Sequence, residues 1–329
     1  MTLIDMHGRR HRDLRVSLTD RCSLRCSYCM PAEGLPWIPS SDILTTAELV
    51  RLVAIAVGLG IEQVRLTGGE PLLRPDVVEI VAAIRALPNA PRISLTTNGL
   101  RLPSLAAPLA DAGLERVNIS LDTLRRDRFL AITRRDRLVD VLAGVTAAKA
   151  AGLVPVKINT VLLRGVNDDE AVPLLRWALA EGVTLRFIEQ MPLDAQHEWD
   201  RTQMITAAEI MEALSEVFTL DPRQALARGS APAEEFWVDG GPATVGVIAS
   251  VTNPFCGTCD RLRLTADGQL RSCLFAREES DVRTSLRAGA DDAEIASRMR
   301  VCLAGKQPGH GIDDPGFLQP ARPMSAIGG

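Results

Sequence analysis

Five strand-like segments of this chain carry polar residues at every second position. The polar sets are Arg15 and Ser17, Arg65 and Thr67, Ser94 and Thr96, Asn118 and Ser120, and Lys157 and Asn159. The alternate positions hold Val16, Val64, Leu66, Ile93, Leu95, Val117, Ile119, Val156 and Ile158. Successive side chains of a strand point to opposite faces, so each segment has one apolar and one polar face. Helical patterns follow nearly every strand, and repeated strand–helix units build a parallel sheet with helices outside. Strands of such sheets are usually apolar on both faces, and a closed barrel is normally filled by branched apolar side chains. Here the helices would take the apolar face and the polar set would line the inside. A polar, net-positive interior implies a hydrated cavity built for a charged ligand. The alternative is that some of these polar residues face bulk water.

The strands are expected at 14–18, 63–67, 92–97, 116–121, 154–163 and 183–188, and the helices at 45–60, 76–87, 102–113, 122–133, 138–152 and 168–182. Gly60, Gly113, Gly152 and Gly182 stand where helices should stop. Six units suggest an incomplete barrel, although strand count alone does not decide between an open sheet and a curved one. From about residue 200 the character changes. A helix is expected at 205–218 and an exposed Pro/Ala-rich loop at 221–235. Short strands with turns should follow, then a hairpin at 261–275 about Asp267-Gly268. Two helices (281–289 and 290–305) and an irregular tail complete the chain.

Six of the seven cysteines fall into two incomplete ligand sets. The first is Cys22-x3-Cys26-x2-Cys29; the second is Cys256-x2-Cys259, closed by Cys273. A structural zinc site wants four protein ligands, and a cubane cluster wants one thiolate per iron. Three thiolates on a four-iron cluster leave one iron free to bind a substrate or cofactor. The x3-then-x2 spacing of the first trio favours a cluster over zinc. The second trio, taken alone, fits either. Cys302, in a helical pattern, reads as an ordinary buried thiol. Arg261 and Arg263 alternate on the strand straight after Cys259, so they share a face. With Arg15, Arg65 and Lys157 they make five cations. That suits a triphosphate better than a single carboxylate, since guanidinium presents a fixed fork of donors.

The 329 residues carry a net charge of −4 with well-mixed signs, so no basic footprint for nucleic acid is present. No stretch reads as a signal peptide, and the longest apolar run, 52–61, is too short to span a bilayer. An odd number of cysteines in metal-like spacings points to a reducing compartment. A cytoplasmic protein without membrane or nucleic-acid partners is expected.

RVSLTDRCSLRCSYCMP, with Tyr28 just before the last cysteine, resembles the signature of radical S-adenosylmethionine enzymes. Together with VRLTGGEPLLR, LTTNG, FCGTCDRLRLTADGQLRSCLF and the terminal RPMSAIGG, it resembles the GTP 3′,8-cyclase family of molybdenum-cofactor biosynthesis nearly from end to end. The resemblance implies an α/β fold: an incomplete (βα)6 TIM-like barrel of the radical-SAM type over residues 1–200, and a C-terminal domain over 201–329 carrying a second iron–sulfur cluster. It implies two 4Fe-4S clusters and S-adenosylmethionine as cofactors, with Cys22, Cys26 and Cys29 holding the first cluster and Cys256, Cys259 and Cys273 the second. Tyr28, Gly69, Ser120 and Met191 would contact S-adenosylmethionine. Arg15, Arg65, Thr96, Lys157, Arg261, Leu262 and Arg263 would contact GTP, and Arg261 and Arg263 would also be catalytic. Gly328 and Gly329 would reach into the active site. Implied partners are a flavodoxin- or ferredoxin-type electron donor, a downstream cyclic pyranopterin monophosphate synthase and a second copy in a homodimer. The alternative is a peptide- or protein-modifying radical enzyme with an auxiliary cluster, which would not require the cation set. A non-catalytic iron–sulfur carrier would close its cluster with four protein ligands.

Overall fold

A computed structural model describes residues 2–223 and 228–328. Six strands are laid down in sequence order: β1 (Asp13–Ser17), β2 (Gln63–Thr67), β3 (Arg92–Thr97), β4 (Arg116–Ser120), β5 (Lys157–Thr160) and β6 (Thr184–Ile188). Each is parallel to the next. The apolar alternates Val16, Val64, Leu66, Leu95, Val117, Ile119 and Ile158 are fully buried. They face helices α1 (Thr46–Gly58), α2 (Val77–Arg85), α3 (Leu102–Asp111), α4 (Arg126–Thr133), α5 (Leu138–Ala150) and α6 (Ala171–Glu181). Burying each Val, Leu or Ile side chain stabilises the fold by roughly 1.5–3 kcal/mol, and this face carries most of that gain.

Local signals set the helix ends. Thr45 caps α1 in a reciprocal pair with Glu48, which satisfies two otherwise orphaned amides. Gly182 ends α6 in the left-handed region at φ 65°, a conformation that costs glycine nothing. The expected helix at 122–133 begins only at Arg126. Its first residues are held elsewhere: the Asp122 carboxylate accepts from the Val161 amide, and the Thr123 hydroxyl donates to Glu170. Side chains that bond other backbone or carboxylate groups compete with helix formation. The expected strand at 154–163 is ordered as one only over Lys157–Thr160, and the expected helix at 168–182 opens with a 3₁₀ turn at Asp168–Glu170.

The C-terminal segment extends the same sheet at both edges. After α7 (Ala207–Ser215) come β7 (Leu220–Pro222), β8 (Glu234–Val238) and β9 (Thr244–Ile248), then β10 (Arg261–Leu264), β11 (Gln269–Arg271) and β12 (Ser280–Asp281). β9 runs parallel beside β6, and β10 runs parallel beside β1. The twelve strands lie in the order β12-β11-β10-β1-β2-β3-β4-β5-β6-β9-β8-β7. The expected loop at 221–235 is therefore bounded by two sheet strands, with 224–227 outside the described residues. β11 is a strand of the expected hairpin. The helix expected at 281–289 shortens to α8 (Arg283–Arg287), because Ser280 and Asp281 pair with β11. α9 (Asp292–Ala304) follows, and Cys302 lies on it, half-buried, with burial pushing its thiol up to about 11. The tail expected to be irregular ends in a short helix, α10 (Met324–Ile327).

Candidate active site

The first trio of cysteines, with chain neighbours of the second, lines one cavity of about 310 Å³ at the carboxyl ends of the parallel strands. Parallel α/β folds place their sites at that end. Cys22, Cys26 and Cys29 line it directly. The loop that carries them follows β1 and is held from below by the glycine pair. The Gly69 amide donates to the Thr19 carbonyl at 2.7 Å, and the Glu70 amide to the Arg21 carbonyl at 2.7 Å. A Cβ on Gly69 would stand 2.4 Å from the Arg21 carbonyl oxygen and 2.5 Å from that of Asp20. The glycine is thus required by close approach of two backbones. Glu70, buried, accepts from the Thr97 hydroxyl and the Asn98 amide, both at 2.7 Å.

The three thiols crowd one another. Burial pushes Cys22 up to about 11 and Cys29 up to about 12. Cys26 is pushed well up by burial, by Asp122 and by the other two cysteines. Among the described residues, no three His, Cys, Asp or Glu side chains are gathered closely enough to hold a single metal ion. Three thiols on one short loop, one for each of three iron corners, are the donor chemistry of a cubane cluster. The Tyr28 hydroxyl donates to Asp122 at 2.7 Å, and burial pushes Asp122 up to about 6.

The second trio sits on the β9–β10 and β11 connections. Its immediate neighbours Phe255, Arg261 and Leu274 line the cavity wall. Burial raises Cys259, but Lys306 and Arg261 more than offset this and hold the thiol below its usual range. Lys306 Nζ lies 3.5 Å from Cys259 Sγ and donates to the Arg261 carbonyl at 2.7 Å. His11 donates no ligand here; its Nε2 lies 3.1 Å from Asp5.

Of the sequence-derived residues, Arg15, Arg65, Gly69, Thr96, Ser120, Met191, Arg261 and Arg263 line the cavity together with Tyr28. Arg263, Arg15 and Arg65 are direct Cα partners on three adjacent strands. Burial lowers all three guanidinium groups, Arg263 to about 9, and their mutual repulsion adds to this. Asp13 is the nearby counter-charge, 3.9 Å from Arg15 and 3.7 Å from Arg261. Even so, the buried Nε atoms of Arg15, Arg65 and Arg261 have no hydrogen-bond partner. Four guanidinium groups, Arg15, Arg65, Arg261 and Arg263, thus share one cavity wall with Asp13 as the nearby carboxylate, an arrangement whose charge suits an anion.

Two expected residues lie differently. Leu262 is fully buried in the apolar core, so only its main chain can face the cavity. Lys157 is off the cavity wall and lies 3.8 Å from Glu235. Two residues escaped the sequence reading. Arg186 of β6 lines the cavity, donates to Asn159 Oδ1 at 2.7 Å and is pushed down to about 10 by burial. It is the register partner of Asn159, so the parity that selected Arg15 would have selected it. Lys306 carries no signal near the cysteines in sequence.

The chain end reaches this wall. Arg263 Nη1 donates to the Gly328 carbonyl at 2.7 Å, and Met324 and Ser325 line the cavity. Gly329 lies outside the described residues.

Residues 16–178 match the radical SAM superfamily, and residues 183–312 match Molybdenum Cofactor Synthesis C. A curated GTP 3′,8-cyclase of Streptomyces coelicolor is 61% identical over 99% of this chain and 96% of its own length. One of Mycolicibacterium smegmatis is 58% identical over 99% and 92%. Solved structures share the fold at low identity. Streptococcus suis SuiB bound to S-adenosylmethionine gives a TM-score of 0.62 at 13% identity, covering 88% of this chain and 68% of SuiB. Native anSMEcpe with bound AdoMet gives 0.57 at 15%, covering 93% and 92%. With its cysteine trios, its sheet and these relatives, the chain belongs to the GTP 3′,8-cyclase family of radical S-adenosylmethionine enzymes.

Proposed function

We propose that this protein converts GTP to (8S)-3′,8-cyclo-7,8-dihydroguanosine 5′-triphosphate, the first step of molybdenum-cofactor biosynthesis. The supporting observation is the pairing of two three-cysteine sets with four arginines, Arg15, Arg65, Arg261 and Arg263, on one cavity wall. When bound, the first cluster and S-adenosylmethionine supply the 5′-deoxyadenosyl radical that takes the ribose 3′ hydrogen.

The residues divide the remaining work. Cys22, Cys26 and Cys29 hold the first cluster, and Gly69 sets their loop. Tyr28, Ser120 and Met191 bound the S-adenosylmethionine pocket, with Tyr28 fixed by Asp122. Cys256, Cys259 and Cys273 would hold the second cluster, which would supply a binding site for the guanine. Arg15, Arg65, Arg261 and Arg263 bind the phosphates, joined by Arg186 and, after leaving Glu235, by Lys157. Thr96 and the Leu262 main chain complete the substrate wall. Arg261 and Arg263 also serve catalysis through their place between the second trio and the cavity. Residues 1–200 form the radical-SAM partial barrel with the S-adenosylmethionine cluster, and residues 201–329 the part with the auxiliary, substrate-binding cluster and the Gly-Gly tail. A cytoplasmic enzyme working as a homodimer, with a flavodoxin- or ferredoxin-type reductant and a downstream cyclic pyranopterin monophosphate synthase, completes this reading.

The test is anaerobic reconstitution of wild type and of Cys→Ala variants in each trio. Wild type should hold two four-iron clusters. Changing Cys22, Cys26 or Cys29 should abolish S-adenosylmethionine cleavage. Changing Cys256, Cys259 or Cys273 should abolish cyclisation while leaving some uncoupled cleavage. Stoichiometric zinc at either trio would overturn the proposal.

A further inference from the structure

The surface over the first cysteine loop has a charge opposite to that of the chain. Residues 21–37 and 125–137 together carry eight arginines against three acids, Glu33, Asp127 and Asp136, in a chain of net charge −4. The two segments are packed together. The Arg25 amide donates to the Thr133 carbonyl at 3.0 Å, the Ser27 amide donates to the Ile132 carbonyl at 2.9 Å, and Arg134 Nη1 donates to the Met30 carbonyl at 2.8 Å. The end of α4 is therefore a brace on the cluster loop.

Most arginines of this protein are matched to a carboxylate, including Arg125, Arg126, Arg128 and Arg137 of this stretch. Four at the loop are not. Among the described residues, Arg21, Arg25, Arg134 and Arg135 form no side-chain ion pair. Arg25, Arg134 and Arg135 bond only main-chain carbonyls. Arg21 and Arg135 are exposed. So is Ser27, which lies between two of the cysteines, so the loop itself reaches solvent. Leu130, on the exposed side of α4, is 47% exposed. Unpaired cations around an exposed apolar side chain make a surface that steers and seats an acidic protein.

Building on the proposed function, we propose that this patch, centred on Ser27 and bordered by Arg21, Arg135 and Leu130, docks an acidic one-electron carrier protein that reduces the first cluster. One electron leaves the reduced carrier and enters the cluster. The carrier is oxidised by one electron, the cluster is reduced by one, and no bond is made or broken. The carrier's cofactor, flavin or iron–sulfur, does not alter the recognition, which reads surface charge.

The experiment compares wild type with Arg21→Glu/Arg135→Glu, both loaded with clusters and supplied with S-adenosylmethionine and GTP. Three reductants are used: photoreduced flavodoxin, a reduced plant-type ferredoxin, and dithionite. With the protein carriers at low salt, the variant should cleave S-adenosylmethionine about ten- to a hundred-fold more slowly, as expected when steering is reversed. Raising the salt should slow wild type and narrow the gap. With dithionite, the two should agree within about two-fold, with unchanged iron content. A loss with one carrier alone identifies its class. Equal rates with both carriers, or an equal fall with dithionite, overturns the docking surface. A wild type that does not cleave S-adenosylmethionine with dithionite overturns the reading of the site itself, and the docking proposal with it.

Discussion

Arg263 reaches across the cavity wall and donates to the main-chain carbonyl of Gly328 at 2.7 Å. One arginine of the anion-binding row thereby holds the end of the chain. Gly328 sits at φ 88°, and a Cβ there would come within 2.6 Å of Thr67 Oγ1 and 2.9 Å of Ser17 Cβ. Any side chain would lift the tail off the wall. Gly328→Val should therefore cut GTP cyclisation about ten-fold or more, since a hydrogen bond to a charged group contributes about 1.5–3 kcal/mol. Iron content should stay at the wild-type level. Both are read from kcat/KM for GTP alongside an iron and sulfide assay.

The arginine row should discriminate between the two small molecules. Arg15→Ala, Arg65→Ala or Arg186→Ala should weaken GTP roughly ten- to a hundred-fold and leave S-adenosylmethionine nearly unchanged. Arg→Lys should recover part of the loss, because lysine keeps the charge without the fork. Lys157→Ala should cost less than about ten-fold, because that amine is already paired with Glu235. Calorimetric titration with GTP and with guanosine reads all four; equal affinity of wild type for the two would remove the phosphate assignment.

Burial, with Arg186 adding repulsion, pushes Lys157 down to about 8. Its charge is thus lost as pH rises through about 8, well before an exposed lysine loses it. A bound triphosphate favours the charged form and raises this value, so GTP binding should take up protons above about pH 8. Affinity should fall over the same window, by no more than the Lys157→Ala effect. Lys157→Arg should move the fall to higher pH. Titrations in two buffers of different ionisation enthalpy measure the uptake; its absence just above about pH 8 would leave Lys157 with Glu235 in the complex.

Gly69→Ala tests the cluster loop without changing a cysteine. The new methyl would meet two carbonyl oxygens that belong to backbone and cannot swing aside. Overpacking of this kind costs typically about 1–3 kcal/mol, and here the strain falls on Asp20 and Arg21, next to Cys22. The variant should retain the second cluster and lose most of the first, so iron per chain falls by about half. Electron paramagnetic resonance of the reduced protein should then show a single cluster type.

The parity of polar residues in β1 and β2 makes Arg15 and Arg65 legible in the amino-acid sequence, because both strands alternate over several residues. Arg186 meets the same criterion, since Thr184 and Arg186 alternate with Leu185 and Phe187 in β6. Its register with Asn159 brings it to the row. Leu262 fails on that criterion: it sits between two cavity arginines, so strand parity sends its side chain into the core. Lys306 meets Cys259 across 47 positions of sequence, a contact that spacing cannot reveal. Five of the six core strands are legible to within one residue at each end, while β5 is three residues shorter at each end than expected; β7 and β12, three and two residues long, are too short to carry an alternation.

The two outer parallel strands, β9 and β10, come from one late stretch of chain yet close opposite edges of the barrel sheet. Asp13 finds its neighbour on β10 only at Arg261. A ribosome that has released the first two hundred residues has therefore made a sheet with two raw edges, and such edges template aggregation. The arginine row is also incomplete at that moment, lacking Arg261 and Arg263. The first cysteine loop is made early, but the strands that flank its sheet on both sides are not made until the chain is nearly finished.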